Sequence, residues 1–112
     1  MKLITAVFKP YVLEEVRHAL NGVGIHRMTA DDVVGYGREG GHTETHRGIE
    51  YTVDSAPKRR IEIVVADEDV EPAINAILNA ASSHDHGDGK IWVMPVESFH
   101  DIRTGDSGHA AF

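Results

Sequence analysis

Three short segments combine glycine with a cationic side chain, a pairing suited to binding an anion. They are Gly35-Tyr36-Gly37-Arg38, Gly87-Asp88-Gly89-Lys90 and Arg103-Thr104-Gly105. Glycine lets the backbone approach a ligand closely, and arginine supplies a planar fork of donors for a phosphate. Glycine-flanked N–H groups can also form an anion nest, to which Lys90 would add a point charge. Each segment alone is equally compatible with an ordinary turn, and the second is not a Walker motif.

The stretch from Gly35 to Lys58 has the least regular pattern in the chain. It carries glycine at positions 35, 37, 40, 41 and 48, with charges of both signs and few apolar residues. Such spacing specifies neither a helix face nor a long alternating strand. Structureless loops longer than roughly 12–15 residues are uncommon in compact domains and are usually functional or disordered. We therefore predict a long exposed loop over residues 35–58 that forms the working surface, the alternative being a tolerated insertion.

Composition narrows the class of protein. The chain has 112 residues, 41% of them hydrophobic, which suits one domain with a modest core. It contains no cysteine, which excludes disulfides, thiol catalysis and thiolate metal sites. The formal net charge of −7 argues against general nucleic-acid binding. No run approaches the roughly 18 apolar residues of a membrane span, and no export cleavage pattern is present. We expect a cytoplasmic protein without nucleic-acid partners or membrane insertion.

The apolar periodicity predicts a strand–helix–strand unit that occurs twice. The predicted strands and helices cover residues 3–8, 12–23, 26–36, 58–66, 70–81 and 90–96, in that order. The carboxylates of Asp67 to Asp69 should cap the second helix. This order indicates an α+β, ferredoxin-like split βαβ fold (βαββαβ) with both helices on one face of an antiparallel sheet. One domain then spans residues 1–112, with a loop at 82–90 and a tail at 98–112 that contains at most a short strand near 99–103.

The first and third strands are apolar on both faces. In the first strand, Ile4 and Ala6 alternate with Leu3 and Val7, and the third strand repeats the pattern. Because the two helices can cover only one face, the other face predicts self-association. The alternative is an apolar face that merely touches the tail.

The chain resembles the P-II family of nitrogen-regulatory signalling proteins from end to end. The matching residues lie in register without gaps, and they are Lys9-Pro10, Glu14-Glu15-Val16, Gly24, Met28-Thr29, Gly35, Gly37-Arg38, Gly41-His42-Thr43-Glu44, Arg47-Gly48, Glu50-Tyr51, Val53-Asp54, Pro57-Lys58, Ile61-Glu62, Val64-Val65, Gly87-Asp88-Gly89-Lys90-Ile91, Pro95-Val96-Glu97 and Ile102-Arg103-Thr104-Gly105. The resemblance implies a homotrimer whose sheets line a central core. It also implies that residues 35–58 form the T-loop, which docks a transporter or a metabolic enzyme.

The same resemblance implies adenine nucleotide binding in clefts between subunits. The nucleotide-binding positions would be Thr29, Gly35, Gly37, Arg38, Glu62, Val64, Gly87, Asp88, Gly89, Lys90 and Arg103. Glu39 and Lys58 would serve Mg²⁺ and the effector 2-oxoglutarate, and Tyr51 would be a candidate for nucleotidylation. No Ser-His-Asp signature or catalytic cysteine is visible, so we expect a binding and signalling protein rather than an enzyme.

Departures from the family pattern predict an altered ligand preference. Glu39 replaces a usual glutamine that coordinates the Mg²⁺ between ATP and 2-oxoglutarate. A carboxylate can still bind Mg²⁺, but it would repel a dianionic keto acid by roughly a few kcal/mol. Asp101 replaces a phosphate-binding arginine, which removes a bidentate contact and adds a repulsive charge. We therefore expect ADP or AMP to be favoured over ATP, and 2-oxoglutarate sensing to be weak or lost.

The histidines support a second hypothesis. The segment Ser82-Ser83-His84-Asp85-His86 replaces a usual R-T-G-K-I, so that His84 and His86 flank Asp85. Two imidazoles and a carboxylate suit Zn²⁺, Cu²⁺ or Ni²⁺, although solvated loop residues explain the same pattern. The alternative function is a P-II-like regulator that responds to a metal ion or to bicarbonate.

Overall fold

Two strand–helix–strand units build the structure. The computed structural model describes the backbone of residues 1–46, 48–84 and 87–112, and the side chains of these residues except 38–46 and 49–54. The elements in chain order are β1 Lys2–Phe8, α1 Leu13–Gly22, β2 Thr29–His46, β3 Ile49–Val65, α2 Val70–Ala81 and β4 Gly89–Pro95. Short 3₁₀ turns cover Pro10–Val12, Asp67–Asp69 and Gly108–Ala111. Within the described ranges, neither helix is long and apolar enough to cross a membrane.

The strands form one antiparallel sheet in the order β2-β3-β1-β4. Thr5 of β1 lies opposite Glu62 of β3 on one side and opposite Trp92 of β4 on the other. The predicted α+β, ferredoxin-like fold is confirmed by this order.

The core lies between the sheet and the helices. Its sheet side is formed by alternate residues of β1 and β3, and its helix side by the inward faces of α1 and α2. Residues exposed by no more than 2% are Ile4, Ala6, Phe8, Val16, Leu20, Ile61, Ile63, Ala73 and Ile77. Burial of each large side chain stabilises the fold by about 1.5–3 kcal/mol. Leu3 and Val7 remain partly exposed on the other face, which confirms the predicted alternation.

The opposite side of the sheet, here named the open face, carries alternate residues of β3, β1 and β4. In register, its three rows are Val64–Leu3–Met94, Glu62–Thr5–Trp92 and Arg60–Val7–Lys90. The tail reaches one end of this face, because Phe99 and Phe112 line the same cavity as Leu3 and Val64. Met94 is nevertheless 52% exposed and Trp92 44% exposed. Contact with the tail therefore accounts for part of the apolar surface only.

The two strands β2 and β3 continue beyond the body of the sheet. β1 ends at Phe8 opposite Arg59, whereas β2 and β3 stay paired up to His46 and Ile49, with a register irregularity between Tyr36 and Gly41. The expected structureless loop over 35–58 is corrected here to a hairpin. Its pairing rests on backbone hydrogen bonds, which require no apolar alternation and so leave little sign in the sequence.

Pro57 lies within this extension, opposite Val34. Proline lacks an N–H group and is accepted only where a strand is not paired on both sides. Because β1 has already ended opposite Arg59, β3 pairs at Pro57 with β2 alone. The residue that we expected to close a loop is therefore accommodated inside a strand.

The start of α2 differs in detail from the prediction. The N-cap of α2, Asp69, makes no side-chain capping hydrogen bond. Instead, Asp67 Oδ1 accepts a hydrogen bond of 2.8 Å from the ammonium of Met1, and Lys2 Nζ lies 3.5 Å away. The hydrogen bond from the ammonium and the charge of Lys2 lower the pKa of Asp67. Asp69 thus occupies the predicted N-cap position without a capping hydrogen bond, while Asp67 forms an ion pair with the N-terminus.

The tail also lacks the short strand that was allowed near 99–103. Over its described residues it forms a single bridge between His100 and Ser107 and then a 3₁₀ turn. The rings of Phe99 and Phe112 lie 5.4 Å apart, and Ala111 is buried. Backbone hydrogen bonds from Asp101 to Asp106 and from Gly108 to Phe99 fold the tail back on itself, and the ring contact adds to them.

Candidate functional site

The glycine-rich segment at residues 87–90 lies against the end of β1. Gly87 has a φ of 84° and Gly89 a φ of 130°, values that favour glycine. A Cβ on Gly89 would lie 1.9 Å from the carbonyl oxygen of Val7. Only glycine can bring this backbone so close to β1, and the approach places Lys90 at the start of β4, in the row of the open face that holds Val7.

Asp88 closes this loop on itself. Its Oδ2 accepts a hydrogen bond of 2.8 Å from the backbone N–H of Ser83, and its Oδ1 accepts one from the Ser83 hydroxyl. Lys9 Nζ lies 3.4 Å from the same Oδ1. The hydrogen bonds from Ser83, with a smaller effect of Lys9, lower the pKa of Asp88 to about 2. The carboxylate that we assigned to nucleotide binding thus has contacts that shape the loop.

Acid should break the hydrogen bonds between Asp88 and Ser83, because protonation removes the charge of the carboxylate. The ordinary pKa of Asp88 is 3.8 and the folded value is about 2, so its stabilising effect is complete above pH 4 and lost as the pH falls towards 2. We expect Asp88→Asn to lose less stability than the unmodified protein between pH 4 and pH 2, measured by chemical denaturation at each pH. Asp106→Asn, in the exposed tail, is the control. An equal acid response in the Asp88→Asn variant and the unmodified protein would contradict the assignment.

Lys58 links the hairpin to the same loop. Its side chain is 6% exposed, and its Nζ donates a hydrogen bond of 2.5 Å to the carbonyl of Gly87. The aliphatic part lies across Gly35, where an added Cβ would meet Lys58 Cγ at 3.2 Å. The structure therefore brings together three predicted site residues, Gly35, Lys58 and Gly87, from β2, β3 and the loop.

Six other predicted residues line cavities of the structure. Thr29, Glu62 and Val64 line a cavity of about 640 Å³, and the Thr29 hydroxyl lies 3.5 Å from the carbonyl oxygen of Glu62. Asp88, Gly89 and Lys90 instead line a cavity of about 460 Å³ between α2 and β4. Within one chain, these six predicted nucleotide-binding residues thus divide between two different cavities. Gly37 lies half-buried on β2.

Several predicted positions fall outside the described side chains. They are Arg38, Glu39 and Tyr51, while His86 falls outside the described residues altogether. His84 is exposed and has a φ of 62°, a left-handed value uncommon for residues other than glycine. No group of three or more metal-binding side chains occurs among the residues that could be searched. The metal hypothesis on His84 and His86 therefore stays a prediction.

The tail turn contains Arg103 and the unusual Asp101. Asp101 Oδ1 accepts hydrogen bonds of 2.8 Å from the N–H of Arg103 and 3.2 Å from that of Thr104. The Arg103 side chain is exposed. Sequence reasoning treated Asp101 as a lost phosphate contact and an added repulsive charge, and it missed this role. An aspartate two residues before the N–H groups of a glycine-containing turn was the available signal.

Known proteins are similar to this chain over nearly its whole length. The family model described as nitrogen regulatory protein P-II matches residues 1–106. A nitrogen regulatory protein P-II from Azospirillum brasilense is 52% identical over 108 residues, which cover 96% of each chain. One from Cereibacter sphaeroides is 47% identical over 111 residues, which cover 99% of each chain. Over nearly its full length, the chain therefore belongs to the P-II family of nitrogen regulatory signal-transduction proteins.

Proposed function

We propose that this protein is a non-catalytic P-II regulator that binds adenine nucleotide in clefts between the subunits of a homotrimer. The nucleotide state would set how the hairpin docks a transporter or a metabolic enzyme. ADP or AMP would be favoured over ATP, and 2-oxoglutarate sensing would be weak or lost. Its relatives are named regulatory proteins, which supports regulation rather than catalysis.

The division of the site residues between two cavities carries this proposal. Thr29, Glu62 and Val64 line one cavity, whereas Gly89 and Lys90 line the other. A second copy of the chain can bring the first group of one subunit to the second group of its neighbour. Met94 and Trp92 on the open face provide apolar surface for such a contact. A complete site is then a property of the assembly.

The loop chemistry supports a phosphorylated ligand. The glycines at 87 and 89 allow close backbone approach, and Lys90 supplies a compact charge beside them. Arg60, the other cation in this row of the open face, is instead held in a 2.7 Å ion pair with Asp31. Phosphate oxygens are the ligands that such a combination of N–H groups and cations prefers.

Calorimetric titration of the assembled protein tests the proposal. ADP, AMP and ATP should be titrated with and without Mg²⁺ and 2-oxoglutarate, with light scattering to measure the mass and an assay for released phosphate. We expect a trimer that binds ADP at least about tenfold more tightly than ATP, without turnover. Tight, Mg²⁺-enhanced ATP binding that 2-oxoglutarate strengthens would refute the preference. Titration with bicarbonate and with Zn²⁺ alone would show whether another small ligand is read instead.

The charge of Asp101 should contribute to the preference for fewer phosphates. Asp101→Asn keeps a side-chain oxygen that can accept from Arg103 and Thr104 but removes the negative charge. We expect ATP affinity to rise about three- to tenfold and ADP affinity to rise less, because an interaction between solvent-exposed charges is worth about 1 kcal/mol. Asp106→Asn removes an equal charge from the same tail. If both variants raise ATP affinity equally, the effect belongs to net charge and not to position 101.

A further inference from the structure

Lys58 occupies the point where the body of the sheet gives way to the hairpin. β1 stops opposite Arg59, so Lys58 is the first residue of β3, read towards the hairpin, that pairs with β2 alone. We define the neck of the hairpin as residues 33–37 and 55–58. Lys58 is 6% exposed, an unusual depth for an ammonium group, which needs acceptors when it leaves water.

One acceptor is the carbonyl of Gly87, in a loop that no strand pairing joins to the neck. A trans peptide unit directs its C=O and N–H groups to opposite sides, and no cis peptide occurs in the described chain. While Lys58 holds the Gly87 carbonyl, the N–H of Asp88 must point away from Lys58. Lys58 therefore sets the direction of one of the N–H groups that the loop can offer to an anion.

Lys58 itself is in contact with both strands of the neck. The Lys58 stem lies on Gly35 of β2, while its own backbone belongs to β3 and pairs with Val33. A shift of the ammonium must therefore move atoms that touch β2 as well as β3. Because closely packed atoms have little free volume between them, a displacement of the Lys58 side chain also displaces the atoms that it touches.

We propose that Lys58 is a positioning residue that couples the 82–90 loop to the neck of the hairpin, so that phosphate bound at the loop alters the neck. This inference rests on the proposed nucleotide binding. It assigns to Lys58 a contact within the protein that operates even before any ligand is present. The loop then reports to the hairpin through the Lys58 side chain.

Hydrogen exchange of the full-length protein, followed by mass spectrometry, tests the coupling. Lys58→Met keeps the length of the stem over Gly35 but removes the donor to Gly87. Without nucleotide, we expect amide exchange at residues 87–90 to accelerate at least tenfold in this variant. Arg60→Met is the matched control, since it removes a cation two residues away on the same face of β3. It should leave exchange at 87–90 unchanged.

The response to nucleotide gives the second readout. ADP is added to each protein at ten times its own measured Kd. In the unmodified protein and in Arg60→Met, we expect protection at residues 87–90 and a changed exchange rate in the neck. In Lys58→Met, we expect the protection at 87–90 to remain and the response of the neck to disappear. A neck that still responds in Lys58→Met would overturn the proposal, as would unchanged exchange at 87–90 without nucleotide.

A second variant approaches the contact from the other side. Gly35→Ala places a methyl group 3.2 Å from Lys58 Cγ, and it should displace the side chain and accelerate exchange at residues 87–90 at least threefold. No acceleration there would count against the coupling even if Lys58→Met failed to fold. Failure of the proposed function would give a different result. The unmodified protein would show no heat of ADP binding, while Lys58→Met would still accelerate exchange at residues 87–90 without nucleotide.

Discussion

Gly89→Ala is expected to abolish nucleotide binding and to lower the free energy of unfolding by about 3 kcal/mol or more. Two separate penalties add at this position. The φ of 130° is one that residues with a Cβ rarely adopt, and the Cβ itself would lie 1.9 Å from the carbonyl oxygen of Val7. The backbone must move away from β1, and the N–H groups and Lys90 move with it. Chemical denaturation and ADP calorimetry measure the two losses.

Two other glycines separate these penalties. Gly24 has a φ of 84° with no atom within 4 Å of an added Cβ, so Gly24→Ala should cost only about 1–2 kcal/mol. Gly22 ends α1 with open space and no positive φ, so Gly22→Ala should change stability by less than about 1 kcal/mol. Gly22→Ala, which lies outside both cavities, should not affect ADP affinity. If Gly89→Ala costs no more than Gly24→Ala, the close approach to Val7 does not determine the loop.

Met94→Glu is expected to convert the assembly into single subunits and to weaken ADP binding at least about a hundredfold. Met94 is 52% exposed and lies in the apolar row with Leu3 and Val64. A carboxylate buried there without a partner costs several kcal/mol, which is enough to separate subunits at micromolar concentration. The site, divided between two cavities of one chain, would then lack its other half. Light scattering measures the mass, and calorimetry measures the affinity.

Leu78→Glu provides the control for this change. Leu78 is 50% exposed but lies on α2, on the helix side of the sheet. It should leave the mass unchanged. The single tryptophan, Trp92, neighbours Met94 on the open face, so its emission should shift to longer wavelength when the subunits separate. An unchanged mass for Met94→Glu would show that the open face is not where copies of the chain meet.

The order and type of the elements can be predicted from the sequence because buried apolar residues recur with the period of a strand or of a helix. Ile4 and Ala6 face the helices while Leu3 and Val7 do not, and this alternation is visible in the letters alone. The same reasoning locates α2 from apolar residues at helical spacing. It also predicts a second apolar face, and the exposed Trp92 on that face agrees with it.

The hairpin and the contacts of the loop leave no such period. Residues 41–46 and 49–54 pair through their backbones, which every sequence possesses. The bond from Lys58 to Gly87 joins residues whose separation follows from the tertiary fold and not from local pattern. The exchange of a predicted helix cap for the pair between Asp67 and the N-terminus has the same cause. Long-range polar contacts of this kind require the folded chain.

The end of β1 at Phe8 has a consequence for how such a protein changes over evolutionary time. Beyond that line the chain is a ribbon of two strands, and a ribbon of two strands contributes little to the stability of the domain beneath it. Substitutions towards its tip carry a small folding cost, so the sequence of the ribbon can change over evolutionary time while the sheet beneath it keeps its own.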